Sequence, residues 1–168
     1  SMSKEYPTTL ITNHHVIDTC IGEGHEIAVA LQYEDPVVAV IVRWDKDNDL
    51  AVLATTLKLP VLALSKYGPF PGYWVMALGS ADGYEGSVAF GNVINSTASE
   101  ILVTNNISGG SSGGPLIDNE GNVVGVMTWS LDEMQYNGAM SLDTFCVKIL
   151  KCEFEFEGKK TWWDYSDD

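Results

Sequence analysis

The chain has 168 residues, of which 45% are hydrophobic and 10% aromatic, and its formal net charge is −14. This composition excludes an intrinsically disordered chain, and the length suffices for the core of one domain. The acidic balance argues against a nucleic-acid partner because phosphate binding needs a basic surface, and no apolar run approaches the roughly 18 residues of a membrane span.

The predicted elements are mostly short strands. From the N-terminus onward, β-branched or apolar runs alternate with glycine-rich turn sequences, a pattern typical of antiparallel barrels and sandwiches. One segment, 142–150, instead has the spacing of a short helix with one apolar face. The predicted strands are 8–12, 26–32, 37–44, 50–55, 73–78, 87–94, 101–104, 116–117 and 123–129.

The three cysteines, Cys20, Cys146 and Cys152, form neither a Cys-x-x-Cys motif nor a Cys/His spacing that would bind a metal. Their odd number also argues against a secreted disulfide framework. Reduced structural thiols are the first interpretation, and one disulfide plus a free thiol is the alternative. The compartment cannot be assigned on this basis, although the cysteine usage slightly favours an intracellular location.

The segment 110–116, Gly-Ser-Ser-Gly-Gly-Pro-Leu, has the composition that a nucleophilic serine needs. A serine that attacks a carbonyl must project from a tight turn, with main-chain N–H groups directed at the developing oxyanion. Glycines allow the backbone conformations of such a turn and the close approach of a substrate. Ser112 is therefore the candidate nucleophile. For this segment on its own, the alternative is a flexible loop of glycine and serine.

Two further residues could complete a catalytic group. His15 follows an apolar strand and could act as a general base if it faces Ser112. Asp49 directly precedes another apolar strand, where it could be partly buried and accept a hydrogen bond from His15. The nearby Asp45 and Asp47 are better explained as residues of an acidic turn. For an isolated histidine, the alternative is a surface or core residue without a catalytic role.

Taken together, these segments resemble those of the chymotrypsin-like serine proteases, and most closely their HtrA/Deg branch. Residues 12–16 match the Thr-Asn-x-His-Val segment of that family, which selects His15 rather than His14. Residues 49–53 match its Asp-Leu-Ala-Val-Leu segment, and residues 110–116 match Gly-x-Ser-Gly-Gly-Pro-Leu. The three matches also follow the family's order of histidine, aspartate and serine.

The resemblance implies a trypsin-like serine protease domain over residues 1–152, with an all-β, chymotrypsin-like fold of two six-stranded-type antiparallel barrels. The first barrel would occupy about residues 1–66, the second about 67–141, and a short C-terminal helix about 142–151. Residues 153–168 would form an extension, which we interpret from its alternating acidic and aromatic residues as an extra hairpin.

The resemblance also implies a role for each site residue. Ser112 would attack the scissile peptide carbonyl, His15 would take and later donate the proton, and Asp49 would orient His15. The main-chain N–H groups of Gly110 and Ser112 would form the oxyanion hole, and no metal or cofactor would be needed. The expected activity is that of a serine endopeptidase, a hydrolase acting on protein or peptide substrates.

The predicted substrate-binding residues are Asn106, Thr128, Trp129 and Ser130, again by resemblance. Asn106 occupies the place where trypsin-type enzymes carry an acid, so we expect no strict preference for arginine or lysine. Thr128 falls where the family often has a serine or threonine beside the catalytic aspartate. Trp129 and Ser130 would flank the bound peptide, with core packing as the alternative for Trp129.

Only seven residues precede Thr8, fewer than the one or two strands that family members have before the histidine strand. Either the sequence is trimmed at this end, or the first barrel is incomplete with exposed strand edges, which would favour a homo-oligomer through strand pairing. Two alternatives to an active protease stay open. One is a catalytically impaired domain that binds peptides, and the other is a domain that serves in assembly.

Overall fold

The computed structural model of the chain describes residues 4–22, 25–130 and 137–152. The N-terminal half is a four-stranded antiparallel sheet with strand order β1-β4-β3-β2. Because β1 and β2 lie at its two edges, this sheet stays open within the described residues, which agrees with the alternative of an incomplete first barrel. The strands are β1 (Thr8–Thr12), β2 (Ile27–Val29), β3 (Val37–Asp45) and β4 (Leu50–Thr55).

Strand β4 is the centre of this half because its residues are buried on both faces. Ala51 and Leu53 belong to a cluster of buried side chains within the N-terminal half. Leu50 and Val52 face a second cluster, which they share with the C-terminal part of the described chain. Burial of a large apolar side chain contributes about 1.5–3 kcal/mol. The start of β4 is therefore fixed in place by side-chain packing on both of its faces.

The second half forms a closed six-stranded antiparallel barrel with strand order β10-β7-β6-β5-β8-β9. Buried apolar side chains fill it, among them Val75, Ile101, Leu116 and Met127. Closure leaves no free strand edge in this half. The strands are β5 (Trp74–Gly79), β6 (Ser87–Ser96), β7 (Glu100–Val103), β8 (Pro115–Ile117), β9 (Val123–Ser130) and β10 (Asn137–Ser141).

A buried asparagine fixes the start of the loop that leads from β7 toward Ser112. Asn105 is fully buried, and its amide nitrogen donates to the carbonyl oxygens of Val75 (3.1 Å) and Ala89 (2.7 Å). Gly91 of β6 lies directly against it, since a Cβ at this position would lie 2.6 Å from the Asn105 main-chain nitrogen. Only a glycine allows this approach of the two main chains.

Two α-helices of four residues each and two 3₁₀ turns (Asp18–Cys20 and Ala81–Gly83) complete the described fold. α1 (His14–Ile17) follows β1, and α2 (Leu142–Phe145) follows β10 and continues into a π-helical turn (Cys146–Leu150). Buried Ile149 of this turn belongs to the same cluster as Leu50 of β4. The short C-terminal helix expected from the sequence is confirmed, and it packs against the N-terminal sheet.

Cys146 and Cys152 form a disulfide, whereas Cys20 is free. The first interpretation of three reduced thiols is therefore wrong, and the alternative of one disulfide plus a free thiol is correct. The two bonded cysteines are six residues apart. The chain reverses between them at Lys151, which has a left-handed conformation with φ of 55°. Cysteine spacing alone does not reveal such a reversal.

The all-β class is confirmed, but besides the two 3₁₀ turns one strand and one α-helix were not predicted. β10 contains asparagine and glycine, which are depleted in strands. α1 spans a single turn, which is too short for helical periodicity to show in the sequence. The extra hairpin predicted over 153–168 lies outside the described residues. Within the described ranges, no helix is long and apolar enough to cross a membrane.

Candidate active site

His15 and Asp49 form a hydrogen-bonded pair. His15 Nδ1 lies 2.6 Å from Asp49 Oδ2, and the His15 main-chain N–H donates to Asp49 Oδ1 at 2.8 Å. The carboxylate thus holds the ring and the backbone of the same residue. Because an ionised carboxylate can only accept, Nδ1 carries the proton of the neutral ring and Nε2 keeps its lone pair. A general base that acts through Nε2 requires this tautomer.

The local backbone explains why these two residues meet. His15 lies in the first turn of α1, where main-chain N–H groups have no acceptor inside the helix, and Asp49 supplies one. Asp49 has a left-handed conformation with φ of 51°, which aspartate tolerates better than most residues. The His15 side chain is 46% exposed and that of Asp49 is 28% exposed. The pair is therefore open to a substrate at the surface.

The other acidic residues before β4 behave differently. Asp45 accepts hydrogen bonds from the main-chain nitrogen (3.1 Å) and the side-chain amide (2.7 Å) of Asn48. Asp47 is exposed. Both observations agree with the interpretation of this segment as an acidic turn, from which Asp49 alone reaches the histidine.

Asn13, to which the sequence analysis assigned no role, connects the pair to the barrel. It is fully buried, and its Nδ2 donates to the Asp49 carbonyl oxygen (2.9 Å) and to Thr128 Oγ1 (3.1 Å). Thr128 Oγ1 donates in turn to the Val126 carbonyl oxygen at 2.9 Å. The hydrogen bonds therefore run from the main chain before β4 to β9. The sequence signal for Asn13 is its place in the matched Thr-Asn-x-His-Val segment, two residues before His15. Its buried amide needs hydrogen-bond partners, which only the folded chain reveals.

We predict that Asn13→Asp lowers the free energy of unfolding by about 3 kcal/mol or more at neutral pH, because an unpaired carboxylate at a buried site is strongly destabilising. The substitution removes the Nδ2 donor and opposes a carboxylate to the Asp49 carbonyl oxygen. Denaturant unfolding measures the effect. Asn119→Asp is the matched control at an exposed site and is expected to stay within about 0.5 kcal/mol of the parent. Equal losses in the two variants would contradict the role of Asn13.

The loop that carries Ser112 is packed between the two halves. Gly113 N donates to the Met127 carbonyl oxygen at 2.8 Å, which binds the loop to β9. Gly113 has φ of 85° and faces the end of β1, where an added Cβ would overlap Thr12 Oγ1 and lie 3.0 Å from Thr12 Cα. Thr12 precedes His15 by three residues. The segments of the candidate nucleophile and the candidate base are thus in direct contact.

On its other side, the same loop packs against the end of β5. A Cβ on Gly79 would lie 2.8 Å from Ser111 Cα, and Asp82 N donates to the Gly109 carbonyl oxygen at 2.7 Å. Ser111 is buried with 4% exposure, whereas Ser112 is partly exposed. Of the two adjacent serines, Ser112 is the more accessible to a substrate.

Two N–H groups of the loop have no acceptor among the described residues. Within the residues that the structure describes, neither Gly110 N nor Ser112 N donates a hydrogen bond to the protein. These are the two groups predicted to face an oxyanion. The neighbouring N–H groups that do donate to carbonyl oxygens are those of Ser111, Gly113 and Gly114.

One predicted contact is not made. In the described part of the chain, no hydrogen bond joins the Ser112 hydroxyl to the ring of His15. Proton transfer between them needs a separation of roughly 2.6–3.2 Å, and in many enzymes this contact tightens only when the substrate binds. His15 and Asp49 are therefore hydrogen-bonded to each other, and Ser112, the third predicted catalytic residue, lies on the adjoining loop.

The predicted substrate-binding residues have different surroundings. Asn106 is exposed on the loop after β7. Thr128 is 5% exposed, and its hydroxyl is linked to Asp49 through Asn13 rather than directly. The side chains of Trp129 and Ser130 lie outside the described part of the structure.

Comparison with known sequences identifies a family. The model of the trypsin-like peptidase domain family matches residues 2–126. A probable periplasmic serine endoprotease of DegP-like type from Hahella chejuensis is 36% identical over 129 residues. The match covers 70% of this chain and 26% of that protein, so the chain spans about a quarter of the length of this relative.

The slight preference for an intracellular location is wrong. Relatives from several bacteria are named periplasmic endoproteases. The disulfide between Cys146 and Cys152 agrees with this correction, because disulfides persist mainly in oxidising compartments. An odd number of cysteines does not exclude such a compartment when one of them stays free.

Solved structures share the fold. An HtrA-type protease, AlgW with a decapeptide, superposes with a TM-score of 0.73 at 27% identity, covering 89% of this chain and 49% of that chain. Rv3671c from M. tuberculosis H37Rv superposes with a TM-score of 0.76 at 21% identity, covering 87% and 77%, and supports the fold alone. The family match over residues 2–126 and the 36% identical relative show that the chain belongs to the trypsin-like peptidase family, with serine proteases of the HtrA/DegP type as relatives.

Proposed function

We propose that this chain is a serine endopeptidase domain that hydrolyses peptide bonds through Ser112, His15 and Asp49. One observation carries the proposal. The ring of His15 is hydrogen-bonded to Asp49 at 2.6 Å, and His15 lies three residues after the end of β1. The loop of Ser112 packs against that same end of β1. Membership of the trypsin-like peptidase family supports the reaction class.

In the proposed mechanism, Ser112 Oγ attacks the peptide carbonyl carbon while its proton passes to His15 Nε2. The carbonyl oxygen becomes an oxyanion, which accepts hydrogen bonds from the N–H groups of Gly110 and Ser112. His15 then gives the proton to the leaving nitrogen, the C–N bond breaks, and an ester with Ser112 remains. Water, deprotonated by His15, hydrolyses the ester and restores the serine. Asp49 stays ionised and stabilises the imidazolium.

The proposed substrate is a protein or a peptide. The decapeptide of the HtrA-type neighbour supports this choice. We assign Asn106, Thr128, Trp129 and Ser130 to the substrate-binding site, and we expect no strict preference for arginine or lysine because Asn106 is uncharged. The position of β1 and β2 as the edge strands of the described four-stranded sheet supports a homo-oligomer. The disulfide supports an oxidising compartment such as the periplasm.

A peptide-binding domain without hydrolytic activity is the second candidate. It is favoured by the lack of a hydrogen bond between the Ser112 hydroxyl and His15 among the described residues. The open first sheet, whose strands β1 and β4 lead to and from His15 and Asp49, also favours it. Both candidates bind peptides, but only the endopeptidase needs an activated serine.

A fluorophosphonate probe distinguishes the two candidates, because it bonds covalently to an activated serine and leaves other serines unmodified. We expect the parent chain to gain one label by intact mass, and Ser112→Ala and His15→Ala to gain none. Ser111→Ala is the matched control and should keep its label, since Ser111 is buried against Gly79. Labelling that persists in Ser112→Ala, or a folded parent chain that takes no label, would overturn the endopeptidase proposal.

A further inference from the structure

A cavity of about 450 Å³ opens on the second barrel, away from the loop of Ser112. Its wall combines the aromatic side chains of Tyr67, Tyr73 and Trp74 with the carboxylates of Asp118 and Glu120. The volume lies within the range of roughly 300–1,000 Å³ that small-ligand sites occupy. None of the roles proposed above uses these residues.

The cavity and the candidate active site lie at opposite ends of β5. Trp74 is the first residue of this strand and lines the cavity, whereas Gly79 is the last and packs against Ser111. Five residue steps (79 − 74 = 5) of about 3.3 Å separate the two ends by roughly 17 Å. The cavity is therefore a second, separate site.

The aromatic walls are exposed and yet supported. Tyr67 is 49% exposed, Tyr73 47% and Trp74 41%. The ring centroid of Phe70 lies 5.5 Å from that of Tyr73, and the ring centroid of Phe90 lies 5.6 Å from that of Trp74. The rings of Tyr73 and Trp74 thus each pack against a neighbouring aromatic ring and keep part of their surface accessible to solvent. Grouped exposed aromatic side chains mark binding sites more often than isolated ones do.

The two carboxylates are held by the turn between β8 and β9. Asp118 Oδ1 accepts from the main-chain nitrogens of Glu120 and Asn122, both at 2.9 Å. Glu120 Oε2 accepts from Asn122 Nδ2 at 3.3 Å. Within the described ranges, Asp118 Oδ2 and Glu120 Oε1 have no hydrogen-bond partner, and neither carboxylate forms a salt bridge. One oxygen of each carboxylate is left for a ligand.

Main-chain hydrogen bonds fix the frame of the cavity before any ligand binds. Gly72 N donates to the Val93 carbonyl oxygen at 2.7 Å, and Ser65 N donates to the Val123 carbonyl oxygen at 2.9 Å. Both walls are thereby attached to strands of the closed barrel. Since little main chain has to be ordered on binding, even a small ligand can be held.

From this combination we propose that the cavity binds an organic cation, and in first place the guanidinium of an arginine side chain in a peptide. Aromatic faces attract cations, and tryptophan does so most strongly. A planar guanidinium can stack on a ring while it donates two hydrogen bonds to a carboxylate. The net charge of −14 adds a long-range attraction for cations. The proposal does not depend on the activity of Ser112.

The test titrates the ¹⁵N-labelled chain with N-acetyl-arginine amide and follows the backbone amides of Gly72 and Gly121 beside the cavity. We expect a saturable shift with a Kd on the millimolar scale. The citrulline analogue has the same shape without the charge and should give no saturable shift. A tripeptide with a central arginine should bind at least as tightly as the single residue. Tetramethylammonium should bind more weakly because it cannot donate to the carboxylates.

Two isosteric variants decide whether the cavity itself is responsible. Glu120→Gln should weaken arginine binding about threefold, as expected for loss of one exposed charge pair. Glu34→Gln makes the same change of net charge at an exposed residue of the turn between β2 and β3 and should leave the Kd unchanged. The absence of a saturable shift, equal binding of the citrulline analogue, or equal weakening in the two variants would overturn the proposal. Labelling of Ser112 is measured separately, so a failure here leaves the proposed protease intact.

Discussion

Asp49→Asn is expected to lower the kcat of peptide hydrolysis about 10⁴-fold while the fold stays intact. In the parent chain, Asp49 accepts from both the main-chain nitrogen and Nδ1 of His15. The asparagine amide can still accept one of these bonds, but it presents an NH₂ donor at the other position. The ring then accepts at Nδ1 and carries its proton on Nε2. It can no longer take the proton of Ser112.

Asp47→Asn is the matched control for this prediction, because it makes the same chemical change two residues earlier at an exposed site. We expect it to hydrolyse an unfolded protein such as casein at the parent rate. Thermal unfolding of both variants checks the fold. A loss of less than tenfold in Asp49→Asn, or an equal loss in the control, would show that Asp49 does not orient the base.

Strands were predicted correctly where the segment itself has the composition of a strand. β1 and β4 begin and end at the predicted residues, because each is an apolar or β-branched run between turn sequences. β10 was missed because its residues favour a turn, and its strand state depends on pairing with β7 and β9. Tertiary pairing that overrides local preference leaves no trace in the segment itself.

The residues of the candidate site likewise include some that the sequence predicted and one that it did not. Three short segments were enough to single out His15, Asp49 and Ser112 as candidates. Asn13 was missed because its role depends on Thr128, a residue 115 positions away along the chain. Only the folded chain reveals that one buried amide connects the main chain before β4 to the barrel.

Gly113→Ala is expected to destabilise the chain by about 2–5 kcal/mol and to lower kcat by about 10² or more. A left-handed conformation costs alanine about 1–2 kcal/mol, and overpacking adds about 1–3 kcal/mol. The overpacking arises because the added Cβ would overlap Thr12 Oγ1 and approach Thr12 Cα to 3.0 Å. The loop must move away from β1, and a shift of about 1 Å in a reacting group can cost 10² in rate.

Gly121→Ala separates the two causes, because Gly121 has a similar φ of 82° and no atom within 4 Å of an added Cβ. This control should show only the conformational cost of about 1–2 kcal/mol and should keep the parent activity. Denaturant unfolding and the rate of Ser112 labelling measure both variants. If Gly113→Ala is as stable and as reactive as Gly121→Ala, the contact with Thr12 does not hold Ser112 beside His15. A larger loss in Gly113→Ala would mean that the close approach of two main chains, which no residue but glycine permits, aligns the nucleophile with its base.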